Sequence, residues 1–205
     1  MKENIMFVIK QIVQIFHSSL GLMYHILMVR PNNSDSERKT CAENAIKHLG
    51  AWEKSSTLTY KSRSLRIILI VDCLVADNAD LAVFHASKIR ELISLLKDKY
   101  LVSEIHVLHT ALGVQSLSLG NIKEAKKHLL ESAKIRANNV ISVYGPSMFL
   151  AEKLLHFGQT ETVLKYLEMC KSLWNTEEGR MKLTSWIAQV EAGKNPDFGL
   201  SLYVT

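Results

Sequence analysis

Apolar helical segments recur in pairs along this chain, and this pairing limits its fold more than any other feature. The segment SRSLRIILIVDCLVA is followed by DNAD and then by LAVFHASKIRELISLLKD. The same arrangement recurs as EIHVLHTALGVQSLSL, GN and IKEAKKHLLESAKI, and again as GPSMFLAEKLLHF, GQ and TETVLKYLEMCKSLW. In each unit a short turn signal separates two stretches with apolar residues at helical spacing. Three helix–turn–helix units in succession predict a helical repeat protein.

Composition favours an all-α fold. The 205 residues include only three prolines and nine glycines, and this scarcity favours long helices over many short strands. The three cysteines lack CxxC spacing, which argues against a disulfide framework and a zinc site and favours reduced thiols in a cytoplasmic protein. A net charge of +5 permits an anionic partner without requiring one.

The middle unit resembles a tetratricopeptide repeat. Leu112 and Gly113 stand at the apolar and small positions of the first helix, and Gly120 stands at the turn. Ala125 and Leu129 follow at the packing positions of the second helix. This resemblance implies a right-handed α-solenoid of tetratricopeptide-like helix hairpins, with the small residue admitting the second helix and the turn glycine adopting a left-handed conformation.

The other two units match this pattern unequally. The third unit matches in register at Leu150, Ala151, Gly158, Val163 and Leu167. The first unit departs from it, because Asp77 stands at the turn position and Ala82 follows in the second helix. The middle unit also has His109 where an aromatic residue is expected.

Residues 104–203 also resemble a group of uncharacterised bacterial proteins. The shared features are Gly145-Pro146 before a Leu150-Ala151 helix, a helix of the form VLxYxxxC…W, and a tail containing Pro196-Asp197-Phe198-Gly199. The resemblance implies no particular activity. We expect the apolar tail to fold back over the end of the array.

These patterns predict an N-terminal apolar helix in residues 1–33 and a helical repeat domain in residues 34–205. The predicted parts of the repeat domain are hairpins at about 62–97, 101–136 and 146–174, and a capping helix with the tail at 177–205.

The resemblance to tetratricopeptide proteins implies a peptide-binding groove lined by the first helix of each hairpin. The positions that grip a terminal carboxylate in some of these proteins hold neither lysine nor asparagine here, so we expect a largely apolar groove that binds an apolar helix or peptide. The groove candidates are Val107, Thr110, Val114, Leu117, Met148, Glu152 and Leu155.

The N-terminal segment Ile5–Val29 is apolar except for one narrow seam. The seam residues follow one another mostly at steps of three and four: Lys10, Gln11, Gln14, His17, Ser18, Gly21 and His25. One interpretation is a helix buried by the fold, in the repeat groove, with its seam in water. The others are a membrane anchor or in-plane amphipathic helix, and a cleaved signal peptide. Membrane association through this N-terminal helix is therefore one of the alternatives.

No catalytic constellation is evident. The sequence has no GxSxG, HExxH, Walker or GxGxxG pattern. Glu104, His106 and His109 form a weak metal cluster, and Cys170 lies on an apolar helix face that favours a packed thiol over a nucleophile. We expect a non-catalytic protein-interaction scaffold without metal or cofactor. The alternatives are a membrane-anchored docking protein and a metal- or thiol-dependent enzyme.

Nucleic acid is not an expected partner. The basic residues of the middle unit are Lys123, Lys126, Lys127, Lys134 and Arg136. Glu124 and Glu131 dilute this stripe, and no aromatic side chains for base stacking are interleaved with it. The oligomeric state is left open.

Overall fold

The computed structural model describes residues 2–30, 32–55, 63–96, 102–136 and 139–203. These ranges contain ten α-helices, one 3₁₀ helix and no β-strand, which confirms the all-α prediction. The helices are α1 (Lys2–Met28), α2 (Asp35–Ser55), α3 (Arg63–Val75), α4 (Ala79–Leu96), α5 (Val102–Ser118), α6 (Ile122–Ser132), α7 (Asn139–Tyr144), α8 (Phe149–His156), α9 (Thr160–Cys170), α10 (Glu177–Glu191) and the 3₁₀ helix Gly199–Leu202. The predicted hairpin ends at residues 62, 97 and 101 lie outside the described residues.

The chain divides into two compact units, Met1–His85 and Ala86–Thr205, with the boundary inside α4. In the first unit, α1 packs against α2 and α3, and α2 packs against α3. In the second unit, α5 packs against α6, α8 against α9, and α9 against α10. The predicted boundary between residues 33 and 34 stays a prediction.

The three predicted hairpins share one turn geometry. Asp77, Gly120 and Gly158 each adopt a positive φ, at 57°, 74° and 70°. In each turn the left-handed residue donates its N–H three residues back, and the next residue donates five residues back, which is the Schellman pattern. The bonds are Asp77 to Leu74 (3.1 Å), Asn78 to Cys73 (2.8 Å), Gly120 to Leu117 (2.9 Å), Asn121 to Ser116 (2.8 Å), Gly158 to Leu155 (2.9 Å) and Gln159 to Leu154 (2.9 Å). Asp77 therefore takes the role of the turn glycine.

Side-chain caps begin the helices that follow two of these turns. Oδ1 of Asn78 accepts from the N–H of Leu81 at 3.1 Å, and Oδ1 of Asn121 accepts from the N–H of Glu124 at 3.2 Å. Both asparagines thus close the preceding helix through their own N–H and open the next one through their side chain. In both turns three residues separate the two helices.

The C-terminal tail folds back onto the second unit, as expected. The N–H of Met148 donates to the carbonyl of Ser201 at 2.8 Å, and Phe198 is buried with its ring centroid 5.0 Å from that of Trp186. Leu200 is exposed, so the tail contributes part of its apolar surface to the core.

Two glycine-to-alanine substitutions test whether the turns depend on left-handed backbone. A Cβ at Gly120 or at Gly50 would meet no atom within 4 Å, so neither change introduces a clash. Gly120→Ala should lower the free energy of unfolding by about 1 kcal/mol, because alanine is strained at positive φ. Gly50→Ala, inside α2, should raise it by about 0.5–1 kcal/mol. Urea unfolding of both variants measures the difference, and a Gly120→Ala protein as stable as the parent would contradict the turn assignment.

Candidate functional site

The polar seam of helix α1 faces α2 and α3 of the first unit. Nδ1 of His17 lies 3.2 Å from Nδ1 of His48 on α2, and Nδ1 of His25 lies 2.8 Å from Oδ1 of Asp72 on α3. The ring of Tyr24 stacks on that of His48 with centroids 5.8 Å apart. The seam residues from Gln14 to His25 therefore lie on the packed side of the helix, whereas Lys10 and Gln11 are exposed.

The His25–Asp72 pair joins α1 to a fully buried carboxyl group of α3. The Asp72 side chain is fully buried, and this burial raises the pKa of its carboxyl group, while the hydrogen bond from His25 opposes the rise. A buried carboxylate without a partner would cost several kcal/mol, on the order of 3–5. His25 therefore fixes which side of α1 can face α3.

At the middle of the seam, the backbones of α1 and α2 approach each other closely. A Cβ built on Gly21 would lie 2.5 Å from Cγ of Leu49 and 3.2 Å from its backbone nitrogen, so only glycine fits against α2 here. At the end of the helix, Nη1 of Arg38 donates to the carbonyl of Met28 at 2.8 Å. The Ser34 and Glu37 side chains then form a capping box at the start of α2.

A second buried charge cluster joins α2, α3 and the start of α4 in the first unit. Nε of Arg66 donates to Oε1 of Glu53 at 2.8 Å, and Nδ1 of His85 lies 2.9 Å from Oε2 of the same carboxylate. All three side chains are buried. The carboxylates of Asp72 and Glu53 add to burial in raising the pKa of the neighbouring Cys73 thiol, so Cys73 is an inert interior thiol.

The opposite side of α1 presents an apolar surface to solvent, which we call the α1 apolar face. Ile12 is 60% exposed and Phe16 is 57% exposed. The face consists of Ile9, Ile12, Val13, Ile15, Phe16, Leu22, Met23 and Ile26. The interpretation in which the fold buries this side and leaves the seam in water is therefore wrong. Among the described residues, no helix is long and apolar enough to cross a membrane.

The predicted groove residues lie in the interior. Six of the seven candidates are buried: Val107, Thr110, Val114, Leu117, Met148 and Leu155. Glu152 is half-buried, and the Thr110 hydroxyl donates to the carbonyl of His106 at 3.0 Å within α5. Gly113 occupies the small-residue position as expected, because a Cβ there would meet side-chain atoms of Leu150 and His128. Binding along these positions stays a prediction.

His106 is engaged through both ring nitrogens. Its Nδ1 lies 3.0 Å from the carbonyl of Ser132, and its Nε2 accepts from the N–H of Ser147 at 3.0 Å. Burial lowers its pKa to about 4, so the ring is neutral and joins α5 to the end of α6 and to the loop before α8. Within the described ranges no group of three His, Cys, Asp or Glu side chains has the arrangement of a metal site.

His109 forms a different pair, with Nδ1 3.0 Å from Nδ1 of His128 on α6. Burial is the main cause that lowers the pKa of both rings. The two histidines therefore bridge α5 and α6 through their Nδ1 atoms.

Cys170 is a packed thiol. It is fully buried, and burial raises its pKa far above the range in which a thiolate forms. Its neighbour Tyr166 donates its hydroxyl hydrogen to the carbonyl of Ser147 at 2.8 Å. These groups stabilise the junction of α9 with the loop before α8.

The basic stripe of α6 is partly neutralised by its own helix. Nζ of Lys127 lies 2.7 Å from Oε1 of Glu124, and Nζ of Lys134 lies 2.6 Å from Oε1 of Glu131. These side chains are largely exposed, so each pair contributes little to stability.

An exposed apolar stripe on α7 was not predicted. Val140, Val143 and Tyr144 point outward, and Tyr144 is 62% exposed. On the inner side Ile141 is fully buried, and Nε1 of Trp174 donates to the carbonyl of Val143 at 3.2 Å. The sequence does carry the signal, because apolar residues at i, i+3 and i+4 share one helix face. Six residues are too few for that signal to be distinguished from core packing.

No protein-family model matches the chain, and no significant match was found among curated proteins or solved structures.

Gly21→Ala should separate α1 from α2. The added methyl group would overlap Leu49, which is fully buried, so we expect a loss of about 1–3 kcal/mol in the free energy of unfolding. Ser19→Ala, at an exposed position of the same helix, should change stability by less than about 0.5 kcal/mol. Equal urea midpoints for Gly21→Ala and the parent would contradict the close packing of the seam.

The buried histidines should make the protein sensitive to acid. The pKa of His106 is about 4 in the fold, below its ordinary value of 6.5, so the unfolded chain binds more protons between these pH values. Stability should therefore fall as pH decreases through this window, with His106 alone contributing a loss of about 2 kcal/mol between pH 7.5 and pH 5.

Chemical unfolding at the two pH values measures this loss. His106→Gln should be less stable at pH 7.5 and should show a smaller pH dependence than the parent. The exposed His156→Gln should leave both quantities unchanged. An unchanged pH dependence in His106→Gln would show that this ring does not titrate as described.

Proposed function

We propose that this protein is a non-catalytic scaffold that binds another protein, with its hairpins stacked as a right-handed tetratricopeptide-like solenoid. The shared turn geometry at Asp77, Gly120 and Gly158 supports a repeated structural unit. In the second unit, α8 packs against α5 and α6, and α9 packs against α6, as expected when successive hairpins lie side by side.

The contact surface that we propose is the α7 stripe of Val140, Val143 and Tyr144, and its exposure is the observation that carries the proposal. The stripe is held from beneath by Ile141 and by the Trp174 hydrogen bond, so its backbone is already ordered before a partner binds. Tyrosine is a typical anchor residue in protein interfaces, and preorganisation of a surface lowers the free-energy cost of binding. The fitting partner is an apolar helix or peptide with contacts at i, i+3 and i+4.

The interior chemistry favours a scaffold over a metal- or thiol-dependent enzyme. His106 uses both nitrogens for backbone hydrogen bonds, and Cys170 is a buried thiol with a raised pKa. Neither group is placed to meet a substrate. We propose a cytoplasmic setting for the scaffold, consistent with its reduced, separated cysteines.

Site-specific photo-cross-linking tests the proposal. A photoreactive amino acid at Val143, in the full-length protein expressed in its native host, should give discrete protein adducts. The same amino acid at Thr184, which is exposed on α10, serves as the matched control. We expect adducts from Val143 that are absent from Thr184 and are lost when Tyr144→Asp is added.

The opposite result is also informative. Identical cross-linking from Val143 and Thr184 would mean that α7 meets no specific partner, and the scaffold proposal for this surface would be wrong. Circular dichroism of each variant establishes that the helices are retained.

A further inference from the structure

We propose that the α1 apolar face lies in the headgroup–acyl boundary of an anionic membrane, with the helix parallel to the membrane surface. This inference uses a different surface from the α7 stripe and does not depend on the proposed protein partner. It follows from three observations: the width of the α1 apolar face, the charged residues along α1, and the attachment of the opposite side of α1 to α2 and α3.

The face is too broad for one partner helix. At about 100° per residue, its apolar side chains cover roughly 180° of the helix circumference, from Leu22 around to Val13. A helix that packs against one neighbour needs an apolar stripe of only about 100°. From Ile9 to Ile26 the face extends along about 26 Å at 1.5 Å per residue. A lipid layer can cover the whole width and the whole length of the α1 apolar face.

The charges along α1 favour anionic headgroups. The sequence contains no aspartate or glutamate from Asn4 to Ser34. Arg30 is exposed beside the C-terminal end of the apolar face, and Lys10 is exposed on the seam side near its N-terminal end. Both side chains have aliphatic stems that can lie along apolar surface while the charge stays at headgroup level. Two cations near the ends of an apolar surface that Ser19 alone interrupts, on a helix stretch without carboxylates, complement a negatively charged lipid layer.

The seam residues determine which side of α1 can face the membrane. His17 and His25 bind side chains of α2 and α3, and Gly21 lies against Leu49, so one side of α1 stays on protein. A helix fixed in this way cannot be surrounded by lipid. It can lie at the interface with its free side immersed by about 5–10 Å. The geometry therefore points to a parallel, one-sided attachment.

Vesicle co-sedimentation of the full-length protein tests the inference. The probes are vesicles of phosphatidylcholine with phosphatidylglycerol, and vesicles of phosphatidylcholine alone. We expect binding to the anionic vesicles that weakens with added salt, and at least about fivefold weaker binding to the neutral ones. Ile12→Glu combined with Phe16→Glu should reduce binding to anionic vesicles by more than about tenfold, because two exposed apolar anchors are replaced by charges.

Matched variants separate the apolar and the charge contributions. Leu119→Glu removes an exposed apolar side chain in the second unit and should have no comparable effect. Lys10→Gln with Arg30→Gln should weaken anionic binding by roughly fivefold per charge, while Lys123→Gln with Lys194→Gln, also exposed, should have less effect. Circular dichroism and thermal unfolding establish that each variant is folded.

Two outcomes would overturn the inference. The first is a parent protein that sediments with neither type of vesicle. The second is a parent protein that is dimeric by light scattering and becomes monomeric when Ile12→Glu and Phe16→Glu are introduced, since a second copy would then cover the face. Neither outcome bears on cross-linking through Val143, so the scaffold proposal is tested separately.

Discussion

A fully buried carboxylate needs a partner, and in the first unit this requirement determines how α1 lies on the fold. Asp72 is buried in α3, and His25 of α1 is the described side chain that meets it. Once His25 faces α3, helical periodicity brings Gly21 and His17 onto the same side. Gly21 then allows α2 to approach closely, and His17 meets His48. The apolar residues of α1 are left on the outside because the polar ones are required inside.

The turns and the helix content could be predicted from the sequence, because they depend on local chemistry. Gly120 and Gly158 were expected to be left-handed, and both are. Asp77 seemed a poor match to the glycine position, yet it adopts the same conformation, since aspartate tolerates positive φ better than most residues. The close approach at Gly113 was also expected from its small size. Each of these features requires information from only a few neighbouring residues.

The orientation of α1 could not be predicted in this way. A helix with one polar seam and a wide apolar side is ordinarily buried through the apolar side. Here α1 packs through its polar seam instead. This orientation depends on Asp72 and Leu49, which are 47 and 28 residues away in sequence from the seam residues that they contact. The groove positions raise the same difficulty. Val107, Val114 and Leu117 fit the face of a repeat helix, but only the three-dimensional packing shows that they are buried rather than exposed.

The division between interior and surface has a consequence for function. Two titratable interior groups of the second unit, His106 and Tyr166, hold the loop before α8 in place through backbone hydrogen bonds to Ser147. Their burial keeps them neutral at pH 7, and a neutral, hydrogen-bonded group stabilises a fold without being available to a substrate. Exposed apolar side chains, among them those on α1 and on α7, can still gain free energy from contact with another molecule. Because these two helices are anchored on their opposite sides by specific hydrogen bonds, their exposed faces keep a fixed shape, and binding to either face would require little reordering of the chain.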